Sequence, residues 1–254
     1  MIIHTPASSP DEQHDTALEY DRWLSRNTFS ARWVRFWFSP GRTLWLNTQV
    51  RRLPAAASLT ATDRILDVGC GYGGLLIHLH TVLGMPRHPA KPLLEGLDSS
   101  SLMTTRAAAE IRTRSLEAAI RIHEGFATAL PYDDSSFDVV VSAYVIKHLS
   151  DTALRQALRE VKRVLKPGGR FCVWEAVPSR FGFMNAWNMI LLRLGVSFIR
   201  MRTPEDLKRL LEEEDFTIEP TPRAVDQVLR TGSSGQDDRL RQEQRRRRMG
   251  GVAL

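Results

Sequence analysis

Short apolar runs that alternate with amphipathic stretches leave a chain few folds to choose from. Runs at 64–68, 93–97, 120–123, 137–142 and 170–174 have the length and the branched and aromatic content of buried strands. Between them, 73–83 and 99–119 read as helices. Leu154, Ala157, Leu158, Val161, Val164 and Leu165 recur at helical spacing opposite a charged face. Ser150 or Asp151 can cap that helix, and Pro167-Gly168-Gly169 ends it. Thr203-Pro204-Glu205-Asp206 opens another helix with a cap, a proline in the first turn and an acid at the third position. Phe216–Glu219 reads as a sixth strand. Strands that return parallel through a helix cross over right-handedly. The pattern therefore specifies an α/β fold, a doubly wound, mostly parallel sheet with helices on both faces. It leaves strand order open.

The flanks differ from this centre. Residues 1–58 read as a helical N-terminal extension, 59–230 carry the α/β pattern, and 231–254 form a basic, disordered tail. The formal net charge of +6 resides at the ends. Arg22, Arg26, Arg32, Arg35, Arg42, Arg51 and Arg52 have no acid among them, and Arg245 to Arg248 run unbroken. A hydrophobic content of 43% excludes wholesale disorder. Two cysteines, Cys70 and Cys172, lie in core-like runs and make no disulfide framework, which points to a reducing compartment. The start of the chain lacks a signal-peptide pattern. The most apolar window, 181–201, is broken by Asn185, Asn188 and Arg193, too polar to span a bilayer. A cytoplasmic protein is the expectation.

Ligands of such sheets bind at the carboxyl ends of the strands. There the chain has Asp67-Val-Gly69-Cys-Gly71-Tyr-Gly73, directly after the first strand and opening a helix. Glycines allow a tight turn and a close approach of backbone to ligand, although a purely structural turn uses them too. The spacing is G-x-G-x-G rather than the G-x-G-x-x-G of dinucleotide sites, and an acid precedes it. A carboxylate there repels pyrophosphate and suits a ligand bearing an ammonium or sulfonium. Asp98 ends the second strand, where a carboxylate can accept both hydroxyls of a ribose, or else cap the next helix.

These residues resemble the class I S-adenosylmethionine-dependent methyltransferases, in the group of small-molecule and quinone methyltransferases. The stretch from Ile65 to Gly74 matches the family's first motif, and Leu97-Asp98-Ser99 resembles its ribose-binding motif. Gly125 to Pro131 followed by 136–140 resembles its adenine loop and fourth strand, and 165–171 the turn into its fifth. The resemblance covers about 62–218 and implies a Rossmann-like class I fold with S-adenosyl-L-methionine as cofactor. It further implies that Asp67, Gly69, Gly71 and Gly73 hold the methionine moiety, and Asp98 with Ser99 the ribose. Phe126 and Ala127 would lie at the adenine edge, and 142–144, with Ala143, beneath the cofactor. Two departures stand out: Phe126 occupies a position where the family usually has an acid, and only 224–229 is available for a seventh strand.

Methyl transfer is an in-line displacement, for which a protein chiefly supplies geometry and exclusion of water. His148 is the candidate base, since imidazole titrates near neutrality, against a solvated or capping histidine; Tyr144, Lys147 and Glu175 rank behind it. No metal-ligand cluster stands out. Trp23, Phe29, Trp33, Phe36, Trp37, Phe38 and Trp45 interleave with the N-terminal arginines. A substrate lid, peripheral membrane contact and a core-capping helix are the three readings. The apolar stretch 187–194 lies where the family builds its substrate wall. The expected partner is a small, apolar or amphipathic acceptor methylated on oxygen or carbon, with no nucleic acid. The rivals are a nicotinamide oxidoreductase, a non-catalytic cofactor-binding protein, and a protein or RNA methyltransferase.

Overall fold

The computed structural model of the protein describes residues 57–175, 202–219 and 227–231, together with Asp21, Arg22, Ser25, Arg26, Arg32 and Leu53. The aromatic N-terminal residues, the 187–194 stretch, the arginine tail and the first three positions of the expected seventh strand lie outside the described residues.

Seven strands form one sheet: β1 (Ile65–Val68), β2 (Leu94–Asp98), β3 (Ile120–Glu124), β4 (Phe137–Ala143), β5 (Leu165–Trp174), β6 (Phe216–Glu219) and β7 (Gln227–Thr231). Their order is β3-β2-β1-β4-β5-β7-β6. The first five pair in parallel, while β7 is antiparallel to both β5 and β6. The chain therefore reverses its winding between β1 and β4, and the carboxyl ends of β1, β2 and β4 open on the resulting crevice. β7, which runs two residues beyond the expected end of that strand, extends the sheet past β5, and β6 forms its edge.

Four helices are described: α1 (Gly74–Val82), α2 (Ser101–Thr113), α3 (Asp151–Val164) and α4 (Pro204–Glu213). Alternate residues of each central strand enter opposite cores. Ile65, Val139, Val141, Cys172 and Trp174 face a cluster with Leu76 and Leu79 of α1 and Ile111 of α2. Leu66, Val68, Val140, Phe171 and Val173 face Leu154, Leu158, Val161 and Val164 of α3 and Leu207, Leu210 and Leu211 of α4. Each such leucine removed from water contributes roughly 1.5–3 kcal/mol, which is why the α3 stripe was so legible. Ser150 caps α3 by accepting from the Ala153 N–H, and Thr203 caps α4 by accepting from the Asp206 N–H.

Two expectations shift. The second helix ends at Thr113 rather than at 119. Ser115 adopts φ 53°, the Leu116 N–H bonds back to Ile111, and Leu116 and Ala119 turn into the core ahead of β3. The fifth strand begins at Leu165, directly after α3, because Leu165 pairs with Phe137 before the register slips. Gly168, at φ 74°, absorbs that irregularity, so the Pro-Gly-Gly segment is a bulge inside a strand.

Gly96 in β2 shows how tightly the sheet packs under α1. A Cβ there would lie 2.8 Å from Cys70 Sγ, Ile122 Cδ1 and Leu76 Cδ1. Gly96→Ala should destabilise the protein by about 1–3 kcal/mol in urea unfolding. An unchanged midpoint would mean that this layer is looser than its geometry.

Candidate functional site

The chain leaves β1 through three glycines in the left-handed region, Gly69 (φ 80°), Gly71 (φ 51°) and Gly73 (φ 73°). The N–H groups of Gly69 and Cys70 both donate to the Leu97 carbonyl, at 2.7 and 3.1 Å, which ties the turn to the end of β2. The glycines are not equivalent. A Cβ on Gly69 would come within 2.0 Å of Val145 Cγ2, so the turn after β4 packs directly on it. Among the described residues, a Cβ on Gly71 would meet nothing within 4 Å, so they leave space beside it.

Asp98 governs the shape of this turn. Its Oδ2 accepts the Gly71 N–H at 2.8 Å and its Oδ1 the Ser100 N–H at 2.9 Å. Asp98 therefore does not cap α2, because Ser100 does so by accepting from Met103. An ionised carboxylate has about four acceptor positions, so acceptor capacity remains for a ligand. Burial raises its pKa, the backbone N–H groups of Ser100, Gly71 and Ser99 oppose that, and Asp21 adds to the rise. Ser99 is exposed beside it. Asp21, from the N-terminal segment, accepts from the Ser100 hydroxyl and from the Leu102 N–H, the latter at 3.3 Å.

Asp67 is 2% exposed, and its Oδ1 has no hydrogen-bond partner among the described residues. It occupies a core-facing position between Gly96 and Val141. Burial, then the nearby Asp98, push its carboxyl up from 3.8 to about 7. The Cys70 thiol is also raised by burial and by both acids, and burial lifts Cys172 to about 12, so neither is a reactive thiolate.

The segment after β3 is joined to Asp98 by the Gly125 N–H, which donates to the Asp98 carbonyl at 3.0 Å. Phe126 and Ala127 follow, both half-buried. α3 holds the rest of this loop. Gln156 donates to the Thr128 carbonyl (3.0 Å), Glu160 accepts from the Leu130 N–H (2.8 Å), and Arg163 donates to the carbonyls of Leu130 and Tyr132 (2.9 and 2.7 Å). The sequence marked this face of α3 only as charged.

β4 ends at Ala143 and turns through Tyr144, whose φ of 63° is unusual for a bulky side chain. A single 3₁₀ turn (Ile146–His148) follows, with His148 half-buried. Lys147 and Glu175 meet here: Glu175 Oε2 accepts the Lys147 N–H at 2.9 Å, and its Oε1 lies 3.4 Å from Lys147 Nζ. Both side chains are more than nine-tenths buried. Burial lowers the Lys147 pKa, against the pull of Glu175. Arg202, ahead of α4, donates to the carbonyls of Ile146 (2.8 Å) and Leu149 (2.7 Å) and pairs with Asp151 at 2.7 Å. Nothing in the sequence marked Arg202, since its partners are backbone carbonyls more than fifty positions away.

The structure thus gathers Asp67, Gly69, Gly71, Gly73, Asp98 and Ser99 at the ends of β1 and β2, joins 125–127 to them through Asp98, and packs the 143–148 turn on Gly69. His148 belongs to that turn through its N–H, which donates to the Val145 carbonyl at 2.9 Å. Among the described residues no cluster of His, Cys, Asp and Glu is fit to hold a metal, and no helix is long and apolar enough to cross a membrane.

Residues 65–169 match the family model of a methyltransferase domain. An uncharacterised methyltransferase of Bacillus subtilis, YcgJ, is 36% identical over 115 residues, 45% of this chain and 41% of that protein. Its crystal structure superposes with a TM-score of 0.57 at 25% identity, covering 68% of this chain and 69% of that one. Demethylmenaquinone methyltransferase of Deinococcus radiodurans is 34% identical over 151 residues, 57% of this chain and 58% of its own. The 27-O-demethylrifamycin SV methyltransferase of Amycolatopsis mediterranei is 32% identical over 133 residues, 52% of this chain and 46% of its own. The match spans about half the length of these curated relatives. Strand order and site geometry define a Rossmann-like fold of the class I methyltransferases. Residues 65–169 are similar to the methyltransferase domain, and about half of the chain is similar to a demethylmenaquinone methyltransferase.

Asp67 gives the domain a pH signature. A folded-state pKa near 7, above the ordinary 3.8, means that the folded protein keeps a proton which the unfolded chain releases. Stability should therefore fall as pH rises between about 4 and about 7, by on the order of 3 kcal/mol. Asp67→Asn should flatten most of that slope and be more stable than wild type at about pH 8. Urea unfolding across this range checks it; parallel curves for the two proteins would refute the assignment.

Proposed function

We propose that the protein is an S-adenosylmethionine-dependent methyltransferase acting on a small, apolar or amphipathic acceptor, at oxygen or carbon. One observation carries the cofactor assignment: an unpartnered buried carboxylate oxygen of Asp67 and a half-buried Asp98 flank a glycine turn with open space beside Gly71. That donor set fits the cofactor. Asp67 would hold its ammonium, and the glycine turn would let the rest of the methionine moiety pass close to the backbone. Asp98, with acceptor capacity left, would hold the ribose beside Ser99. Phe126 and Ala127 would flank the adenine, with the Phe126 ring in the place of the family's acid. Ala143 would lie beneath.

The bound cofactor supplies an activated methyl group; the chain supplies approach geometry, a dry site and a proton acceptor. His148, in the turn that packs on Gly69, would take the acceptor's proton. The acceptor reading draws on the relatives, whose names include a demethylmenaquinone and a 27-O-demethylrifamycin methyltransferase. The lid reading of the N-terminal segment draws on Asp21, which reaches Ser100 and Leu102 next to Asp98.

Calorimetric titration with S-adenosylmethionine and S-adenosylhomocysteine tests the assignment. Binding should weaken at least about tenfold in Asp98→Ala, which loses a charge-assisted anchor of the turn as well as the ribose contact. Affinity should also rise about tenfold per pH unit below about 7, because the ammonium needs the ionised form of Asp67, and Asp67→Asn should abolish that slope. Wild-type protein that binds neither nucleoside would sink the cofactor assignment and, with it, the enzyme.

A further inference from the structure

The turn after β4 is held in a conformation that its own sequence resists. Tyr144 sits in the left-handed region at φ 63°, a position that costs a bulky residue on the order of 1 kcal/mol and lasts only where its surroundings enforce it. Among the described residues, three groups enforce it. The Tyr144 N–H donates to the Trp174 carbonyl at 2.9 Å, the last rung between β4 and β5. The Tyr144 carbonyl accepts from Lys147 Nζ, which also lies 5.2 Å from the centre of the Tyr144 ring. Glu175, one residue past β5, anchors Lys147 at both its backbone N–H and its ammonium. A buried ion pair thus closes a loop from β5 to the strained residue and back. The next residue, Val145, fills the space where Gly69 has no Cβ.

We infer that Lys147 and Glu175 are positioning residues: their pair clamps Tyr144 in the left-handed conformation, and so sets Val145 against Gly69 and His148 at the mouth of the site. The inference rests on the cofactor assignment above for its functional consequence, but not for its geometry. Neither residue touches a reacting atom. Their effect runs through the 144–148 turn, which meets the glycine turn on one side and carries the candidate base on the other. Release of the clamp frees Tyr144 to relax toward negative φ and withdraws Val145 from Gly69.

Removal of one charge alone would strand the other in the interior, so the test uses the double variant Lys147→Met/Glu175→Gln in the full chain. Hydrogen exchange should show protection at 145–149 falling at least about tenfold, while the β1 amides, 65–68, keep theirs. Affinity for S-adenosylhomocysteine should fall in parallel. Addition of Tyr144→Gly, which adopts the left-handed conformation without steric cost, should restore most of both losses. A pair that merely supported the fold would give no specific rescue: Tyr144→Gly alone in the wild type would then change stability as much as it does in the double variant, and the deficit at 145–149 would persist. Wild-type protection at 145–149 in the double variant, or no recovery in the triple one, would overturn the inference. If the double variant fails to fold, Glu175→Asp, which draws the carboxylate back by one methylene, is read in the same way. A wild type that does not bind the nucleoside removes the cofactor assignment, and the exchange data still decide this one.

Discussion

The carboxylate of Asp98 holds together parts of the chain that have no other reason to meet. One oxygen takes the N–H of Gly71 and the other the N–H of Ser100, so a single side chain fixes the glycine turn after β1 relative to the start of α2. Its own carbonyl takes the N–H of Gly125, which brings in the segment after β3. This arrangement is possible because β1 lies between β2 and β4 in a parallel sheet, so that three carboxyl ends reach the same height. The Ser100 hydroxyl in turn binds Asp21 from far upstream. Removal of the carboxylate frees the glycine turn from the start of α2, while the Gly125 contact, made by the backbone carbonyl, remains.

The same concentration of acids explains the electrostatics. Asp98 is near enough to raise Asp67, Asp21 raises Asp98 in turn, and Asp67 lies in a core where its charge has little solvation. Two acids beside an open space, one of them reluctant to ionise alone, favour a cation that would hold both in the charged form. An ammonium or sulfonium satisfies them, whereas a pyrophosphate is repelled. That asymmetry separates this crevice from a dinucleotide site of the same topology.

Much of this was legible in the sequence, for definite reasons. Strands read from their apolar runs because β1, β4 and β5 are buried on both faces. The glycine turn was legible because left-handed backbone needs glycine. What escaped were contacts whose chemistry is local but whose partners are distant. Arg202 looks like any surface arginine until its guanidinium is seen on the carbonyls of Ile146 and Leu149. Arg163 and Glu160 read as an i,i+3 pair on a solvated face, yet they also hold the loop after Phe126 and Ala127. Lys147 and Glu175 appeared as separate weak candidates, because 28 positions of chain divide them. The extent of β7 was misjudged because its pairing with β5 and β6, not its composition, selects its residues.

Buried charge is the common thread among those missed contacts, and it separates what the sheet must do from what the site must do. An interior ion pair such as Lys147–Glu175 loses hydration that its mutual attraction only partly restores, and an apolar pair of equal volume would serve the core as well or better. Hydrophobic contacts, however, are tolerant of angle and cannot hold a carbonyl at a chosen point. A charge-assisted hydrogen bond can. The charged anchors at this end of the sheet end on backbone atoms of turns rather than on strands: Asp98 on Gly71, Arg202 on Ile146 and Leu149, Lys147 on Tyr144. The strands need no such help, since their ladders and two apolar faces fix them. The turns carry no ladder, and it is the turns that surround the crevice.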